Sequence, residues 1–263
     1  MFSKVNGKCG ITSFGLKVIG ILLMVVDHIH EMFYYVGVPT AFTMVGRVVA
    51  PIFLFLAVEG YHYTHSKIKY LRNLLIGFWI TNVVEMVLQK WLPNPHIVLI
   101  NSIFGTIFLA VLTMWIYEGL LHPRTNKKAF YYSILGLIFL ILPAAMMFSF
   151  IMSGNSSLVM VGVTIMNVVP TLATVEGGIS FIILALFFHI FRKNRLLQIA
   201  SLAVLSIITY MMGDPLQSLM VFAGLFMWFY NGEQGRKEKW FFYIFYPTHI
   251  AILYVAATLL FPN

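Results

Sequence analysis

The sequence predicts an all-α fold: a polytopic integral-membrane helical bundle with a cytoplasmic N-terminus. Three observations carry that expectation. Hydrophobic residues make up 60% of the chain and charged residues only 10%, against about 25% charged in soluble domains. Apolar segments of about 20 residues, the length a bilayer demands, follow one another through short loops. Lys and Arg gather in every second loop, as the positive-inside rule expects. No room is left for a soluble domain, so residues 1–263 read as one transmembrane domain.

The first span covers about residues 12–36, after an arm carrying Lys4, Lys8 and the single Cys9. Eight further spans are expected near 43–65, 69–91, 97–121, 129–151, 171–191, 196–212, 215–231 and 240–261. Lys67, Lys69 and Arg72 follow the second span, and Arg124, Lys127 and Lys128 the fourth. Arg192, Lys193 and Arg195 form another cluster, and Arg236, Lys237 and Lys239 the last. The alternate loops hold only Lys90, so the basic loops and the N-terminus face the cytoplasm. The stretch Leu158–Phe191 is too long for one span and too short for three. It reads as one full span plus a short re-entrant or interfacial piece before Pro170, with Asn167–Glu176 a candidate cavity wall. Two tilted spans with a different topology for the C-terminal third are the alternative.

Several classes are excluded. The net charge of +8 is spread over loops, whereas a nucleic-acid reader needs a basic face. One cysteine makes neither an internal disulfide nor a cysteine metal cluster. His62 and His65 lack an accompanying carboxylate pair, and no metal is expected. The first apolar run is too long and too polar for a signal-peptide core. No internal repeat is visible, which weakens the case for a secondary transporter. No G-x-S-x-G, Walker loop or H-E-x-x-H occurs. Gly15, Gly20 and Gly77 read as helix-packing positions.

The chemistry-bearing residues lie inside the spans. An ionisable group near the middle of a membrane helix costs roughly 2.5–3.5 kcal/mol on insertion scales, so each needs a reason. Lys17 and His28 are eleven positions apart, about three turns, and share one helix face. His30 falls nearly opposite Lys17. Two readings of Asp27 and His28 stay open. In one they form a polar cluster tying the first span to the second through Arg47. In the other His28 is a general base, its ordinary pKa of about 6.5 suiting proton removal near neutrality, with Asp27 orienting it. Lys17, nearer the cytoplasm, would meet an anionic group.

In the second span, Pro51 interrupts the ladder between Arg47 and Glu59. Both charges either snorkel to the two interfaces or line a cavity, Arg47 holding an anion and Glu59 a polar group. The last span contains Tyr246-Pro247-Thr248-His249, where the proline frees a carbonyl and His249 is a cavity contact or a packing residue. Glu85 and Glu176 read as buried hydrogen-bonded acids, Asp214-Pro215 as an external turn, and His96, His122 and His189 as interfacial.

Three blocks together resemble the TraX family of bacterial membrane proteins: LK…DH in the first span, GR…PIF.F…EG..(Y)T in the second, and YNGE.G.K…FFYIFYP.H near the end. The family is named for a protein linked to N-terminal acetylation of conjugative pilin. It is similar to the wider group of transmembrane acyltransferases that includes the acyltransferase-3 enzymes. Those carry a basic residue, ten intervening residues and a histidine in the first helix, a pattern that falls here on Lys17 and His28, with lysine in place of the usual arginine. The resemblance implies a multi-pass acyltransferase of the bacterial plasma membrane, surrounded by lipid. It would take an acetyl or short acyl group from acyl-CoA, with acetyl-CoA the implied donor, at the cytoplasmic side and pass it to a hydroxyl or amine. His28, Asp27 and Lys17 would carry the chemistry. Lys17, Arg47, Lys67 and Arg72 would meet the donor, and Arg47, Glu59, Tyr246 and His249 the acceptor, which could be a pilin, glycan, lipid or metabolite. Transfer could be direct or run through an acyl-histidine. The rivals are a transporter or flippase with an intramembrane proton relay, and a non-catalytic pilus or envelope assembly protein.

Overall fold

Thr12 starts the first helix, and the chain that reaches it is held before the helix begins. The computed structural model describes residues 2–5, 8–100, 103–121, 123, 126–236 and 238–261. His122, Arg124 and Lys237, named above, lie outside them. Strands β1 (Phe2–Val5) and β2 (Lys8–Ile11) pair antiparallel as a short hairpin. The helices are α1 (Ser13–Phe33), α2 (Ala41–Gly46), α3 (Val49–Tyr63), α4 (Lys67–Trp91), α5 (Ile103–Leu121) and α6 (Lys127–Met152). They continue with α7 (Ser156–Val168), α8 (Gly178–Ile190), α9 (Arg195–Met211), α10 (Pro215–Ser218), α11 (Ala223–Trp228) and α12 (Lys239–Leu260). The fold is all-α beyond the hairpin. Six segments are long and apolar enough to cross a membrane: Ser13–Val36, Ala41–Tyr63, Lys67–Trp91, Ile103–Leu121, Lys127–Met152 and Trp240–Leu260. Four shorter apolar helical segments accompany them. The chain is a polytopic helical membrane protein.

The chain is distributed over two compact units, each discontinuous in sequence. The first comprises Met1–Leu56, Val83–Ile100 and Phe191–Asn263. A helix start leaves its first backbone N–H groups without intrahelical partners. In α1 these are satisfied one by one: Ser13 N–H donates to the Glu233 carbonyl (2.8 Å), Phe14 N–H to Gln234 (3.1 Å) and Gly15 N–H to the Thr12 hydroxyl (3.1 Å). Just before them, Ile11 N–H donates to Phe229 O and Asn231 N–H to Ile11 O, a short parallel bridge. The YNGEQG segment is therefore the edge on which the first helix is capped. Gly235 has φ +68°, and a Cβ there would stand 2.7 Å from the Thr12 hydroxyl, so glycine is required. Tyr230 bonds Ser13 (2.9 Å), and the Arg195 guanidinium lies over the rings of Phe55 and Tyr230.

In this unit α12 packs along α1. Lys17 meets Phe242 near the start of both helices, and His28 meets His249 further along both. The two helices thus run parallel, as first and last spans starting from the same side must. Two expected spans begin or run differently here. Residues 97–100 belong to no helix. Asn94 takes the N–H groups of His96 and Ile97, and the Gln89 side-chain amide bonds Leu99 through both its N–H and its carbonyl. That clamp satisfies the backbone as a neighbouring strand would, and α5 starts only at Ile103. The expected span 215–231 is α10, a 3-10 turn (Leu219–Phe222) and α11 in succession.

The second unit comprises Ala57–Asn82 and Asn101–Ile190. Helix α5 is buried over most of its length and packs against α6 and α8. Helices α7 and α8 have 13 residues each, about 20 Å, well short of a 30 Å hydrocarbon core. The region that resisted a whole number of spans is thus two short helices. The first ends before Pro170, as expected, and the second starts at Gly178 rather than 171 because Gly177 and Gly178 both take positive φ. The end of α7 and the segment after it are held by three donors: the Trp79 indole to Val168 O, the Asn82 amide to Asn167 O and the Thr106 hydroxyl to Glu176 O. These satisfy carbonyls that irregular structure would expose to lipid. A Cβ at Gly77 would stand 3.0 Å from Phe104, which bears out its packing role.

Candidate functional site

Helix α1 presents two polar faces, and each has its own partner. Gly20, Asp27 and His30 face the α2–α3 side. Gly20 admits the Phe53 ring, His30 Nδ1 lies 2.8 Å from the Thr43 hydroxyl, and Arg47 donates to Asp27 Oδ1 at 3.4 Å. Lys17 and His28 face α12, one turn pattern away, as their spacing predicts. Consecutive residues point about 100° apart, so Asp27 and His28 belong to different faces.

His28 is the centre of the second face and is only 8% exposed. Its Nδ1 lies 2.7 Å from His249 Nε2. The ring planes are within 13° and the centroids 4.9 Å apart. The difference between these two distances is about two ring radii, so the rings meet edge to edge and an N–H on one points along the lone pair of the other. His249 is buried as well, and its Nδ1 lies 2.9 Å from the Phe245 carbonyl. The Phe245 ring stacks on His249, and buried Tyr246 stands edge-on to both imidazoles. Pro247 interrupts α12 between these residues. On its far side, His28 Nε2 lies 3.7 Å from Glu31 Oε2, ion-pair range but longer than a hydrogen bond. Lys17 sits two turns down α12, its ammonium 5.0 Å from the centre of the Phe242 ring. The side of α1 between Lys17 and His28 is therefore lined by α12 aromatic residues.

The two facing nitrogens stand too close to share an ion, since two metal–nitrogen bonds of about 2.0–2.1 Å at a tetrahedral angle separate the nitrogens by more. Among the described residues no group of three or more His, Cys, Asp and Glu converges as a metal set.

The expected site residues divide accordingly. His28, His249 and Tyr246 come together, with Lys17 on the same face. Asp27 does not orient His28 by contact; its carboxylate pairs with Arg47, the tie between first and second spans. Arg47 is committed there: it also donates to Gln217 Oε1 (2.9 Å) and to the Thr43 carbonyl (3.3 Å). Of the two alternatives the sequence left open, snorkelling is set aside: the guanidinium is held by Asp27, Gln217 and the Thr43 carbonyl. Glu59 lies in the second unit and is 5% exposed, so it does not snorkel either. Lys67, also in that unit, donates to the Tyr61 carbonyl and covers the Tyr61 ring at 3.8 Å. It closes the C-terminal end of α3, where a cation is favoured. Arg72 is exposed.

Two partnerships were missing from the sequence reading. Glu31 stands three residues after His28, a spacing that places side chains side by side. In the second unit Glu118 gathers three helix ends. Tyr61 donates to Glu118 Oε2 at 2.6 Å, His189 Nε2 lies 3.5 Å from Oε1, and the Tyr61 and Tyr117 rings stand edge-on to His189. His189 is thus turned inward, not interfacial as expected. Tyr61 is fully buried, and a hydrogen bond to a carboxylate is among the stronger ones. Tyr61→Phe should cost about 1–3 kcal/mol, seen as a lower apparent melting temperature in detergent. An unchanged transition would mean that the short bond contributes nothing.

A family model described as TraX protein matches residues 14–152 and 133–257. No curated protein and no solved structure matches the chain.

Proposed function

The chain belongs to the TraX family, and from that premise we propose that it is an integral-membrane acyltransferase of the bacterial plasma membrane. It moves an acetyl or short acyl group from acyl-CoA at the cytoplasmic side to a hydroxyl or amine. The observation that carries the reading is His28: an imidazole buried within a membrane helix, on the face shared with Lys17, and held by a second buried imidazole. Such groups are costly in lipid surroundings and mark function by default.

The chemistry balances without a further reactant. The acceptor O–H or N–H gives its proton to His28 as its oxygen or nitrogen attacks the thioester carbonyl. The new C–O or C–N bond forms, the C–S bond breaks, and the leaving thiolate takes the proton back from His28 as free thiol. Lys17 keeps the task its position suggests, contact with an anionic group, rather than the share in the chemistry that the resemblance implies. Its ammonium meets α12 at Phe242, seven residues or about 10 Å along the axis before His249, too far to stabilise charge on the atom that His28 serves. That position suits the phosphate-bearing end of the donor, with its extended pantetheine arm spanning the gap to His28. Lys67 and Arg72 remain donor contacts on the strength of the family resemblance alone. The acceptor is a pilin, glycan, lipid or metabolite.

The test is purified protein in proteoliposomes with acetyl-labelled acetyl-CoA and amine- and hydroxyl-bearing acceptors. Labelled acceptor and an equal amount of free coenzyme A are expected. No release of coenzyme A with any acceptor, together with solute counterflow in its absence, would replace this reading with the transporter.

A further inference from the structure

We infer that His249 is a positioning residue that holds His28 in the Nδ1–H tautomer and so makes Nε2 the basic nitrogen. The catalytic consequence rests on the acyltransferase reading; the tautomer itself does not. The inference starts at the Phe245 carbonyl. A carbonyl oxygen only accepts, so His249 Nδ1, 2.9 Å away, carries a hydrogen and donates it. A neutral imidazole has one N–H, which leaves His249 Nε2 as a lone pair. That lone pair faces His28 Nδ1 at 2.7 Å in edge-to-edge geometry. His28 Nδ1 must therefore be the donor, and the only lone pair left to neutral His28 is on Nε2. The chain of bonds is fixed from one end, by a group that cannot reverse its direction.

The free nitrogen then has a suitable neighbour. His28 Nε2 lies 3.7 Å from Glu31 Oε2, and the Glu31 carboxylate is partly open to the surroundings, at 37% side-chain exposure. A lone pair on Nε2 gains nothing from a carboxylate, whereas an N–H⁺ there is attracted to it. Glu31 thus favours His28 after it has taken a proton. At 3.7 Å the carboxylate does not occupy Nε2 with a hydrogen bond. The geometry resembles in role the carboxylate that fixes the tautomer of a catalytic histidine, where the wrong tautomer costs about 10⁴ in rate. Here a histidine tied to a backbone carbonyl takes that part, which avoids placing a second charge beside His28 in the membrane. Phe245 adds a stacked ring on His249, at 4.9 Å and 11°, and so limits its rotation away from His28.

Nitrogen NMR of ¹⁵N-histidine-labelled protein in nanodiscs reads the tautomer directly, with assignment by His28→Gln and His249→Gln. At a pH where the pair is neutral, His28 should show a protonated Nδ1 and an unprotonated Nε2. Two variants then separate position from packing. His249→Phe keeps an aromatic ring beside Phe245 but offers no acceptor. It should lower kcat about 10²-fold at nearly unchanged donor KM and shift His28 towards the Nε2–H form. His249→Gln places an amide oxygen where Nε2 stood and should restore both the tautomer and part of kcat. An Nε2–H tautomer in the unaltered protein, or full kcat in His249→Phe, overturns the assignment. A chain with the Nδ1–H signal that transfers no acyl group upholds the tautomer and defeats the acyltransferase reading instead.

Discussion

His28→Ala should lower acyl transfer about 10²–10⁴-fold, the usual yield of a positioned base, while leaving the protein folded. That range corresponds to about 2.7–5.4 kcal/mol of barrier at 1.36 kcal/mol per decade. The fold is expected to survive because the main supports of the region do not pass through the imidazole. The α1 start is capped by Glu233, Gln234 and Thr12, and the α2 side is held by Asp27 with Arg47 and by His30 with Thr43. His249 keeps its bond to the Phe245 carbonyl and its stack on the Phe245 ring. Labelled acetyl transfer and a thermal scan on the same preparation give both readouts. A melting temperature close to that of the unaltered protein, combined with transfer reduced by less than about tenfold, would place the base elsewhere.

How much of this the sequence discloses depends on how far apart the partners lie in the chain. The shared face of Lys17 and His28 follows from eleven residues of helical period and needs nothing else. The tie from Asp27 to Arg47 was also open to inspection, since two opposite charges inside consecutive apolar spans have few other partners. The His28–His249 bond joins residues 221 positions apart, and no local pattern selects one distant histidine over another. His249 could be singled out only by the proline break beside it. Sequence adjacency misleads for Asp27, which sits next to His28 in the chain and on another face in space.

The features missed have a common cause. Tyr61, Glu118 and His189 each lie within about a turn of a helix end, where snorkelling to the interface is the default expectation; the structure turns all three towards one another. The segment 97–100 looks apolar enough to begin a helix, and the bonds from Asn94 to Ile97 and from Gln89 to Leu99 hold it outside one. The N-terminal hairpin did carry a sequence signal in the dipeptide Asn6-Gly7, a strong hairpin signal, inside what reads as a mere arm.

Gly46→Ala should be the most disruptive single methyl in the first unit, and the reason bears on the site. A Cβ at Gly46 would collide with the Asp27 side chain, meeting its Cβ, Cγ and Oδ1. Asp27 cannot retreat freely, because Arg47 holds its carboxylate and is itself held by Gln217 and the Thr43 carbonyl. Overpacking of this kind costs about 1–3 kcal/mol, read as a lower apparent melting temperature since membrane proteins often unfold irreversibly. The double variant Gly46→Ala/Asp27→Ala removes the collision together with the ion pair. It should be more stable than the sum of the single changes predicts by about 1 kcal/mol or more, the signature of residues in direct contact; simple additivity would refute the contact. Asp27 and His28 are consecutive, so whatever fixes the direction of one fixes the other about 100° round the helix. The Gly46–Asp27–Arg47 junction therefore sets the rotation of α1 that aims His28 at His249. Transfer by Gly46→Ala should fall in kcat, because His28 is misaimed, and donor KM should rise with it, because Lys17 lies on the same face and turns with the helix.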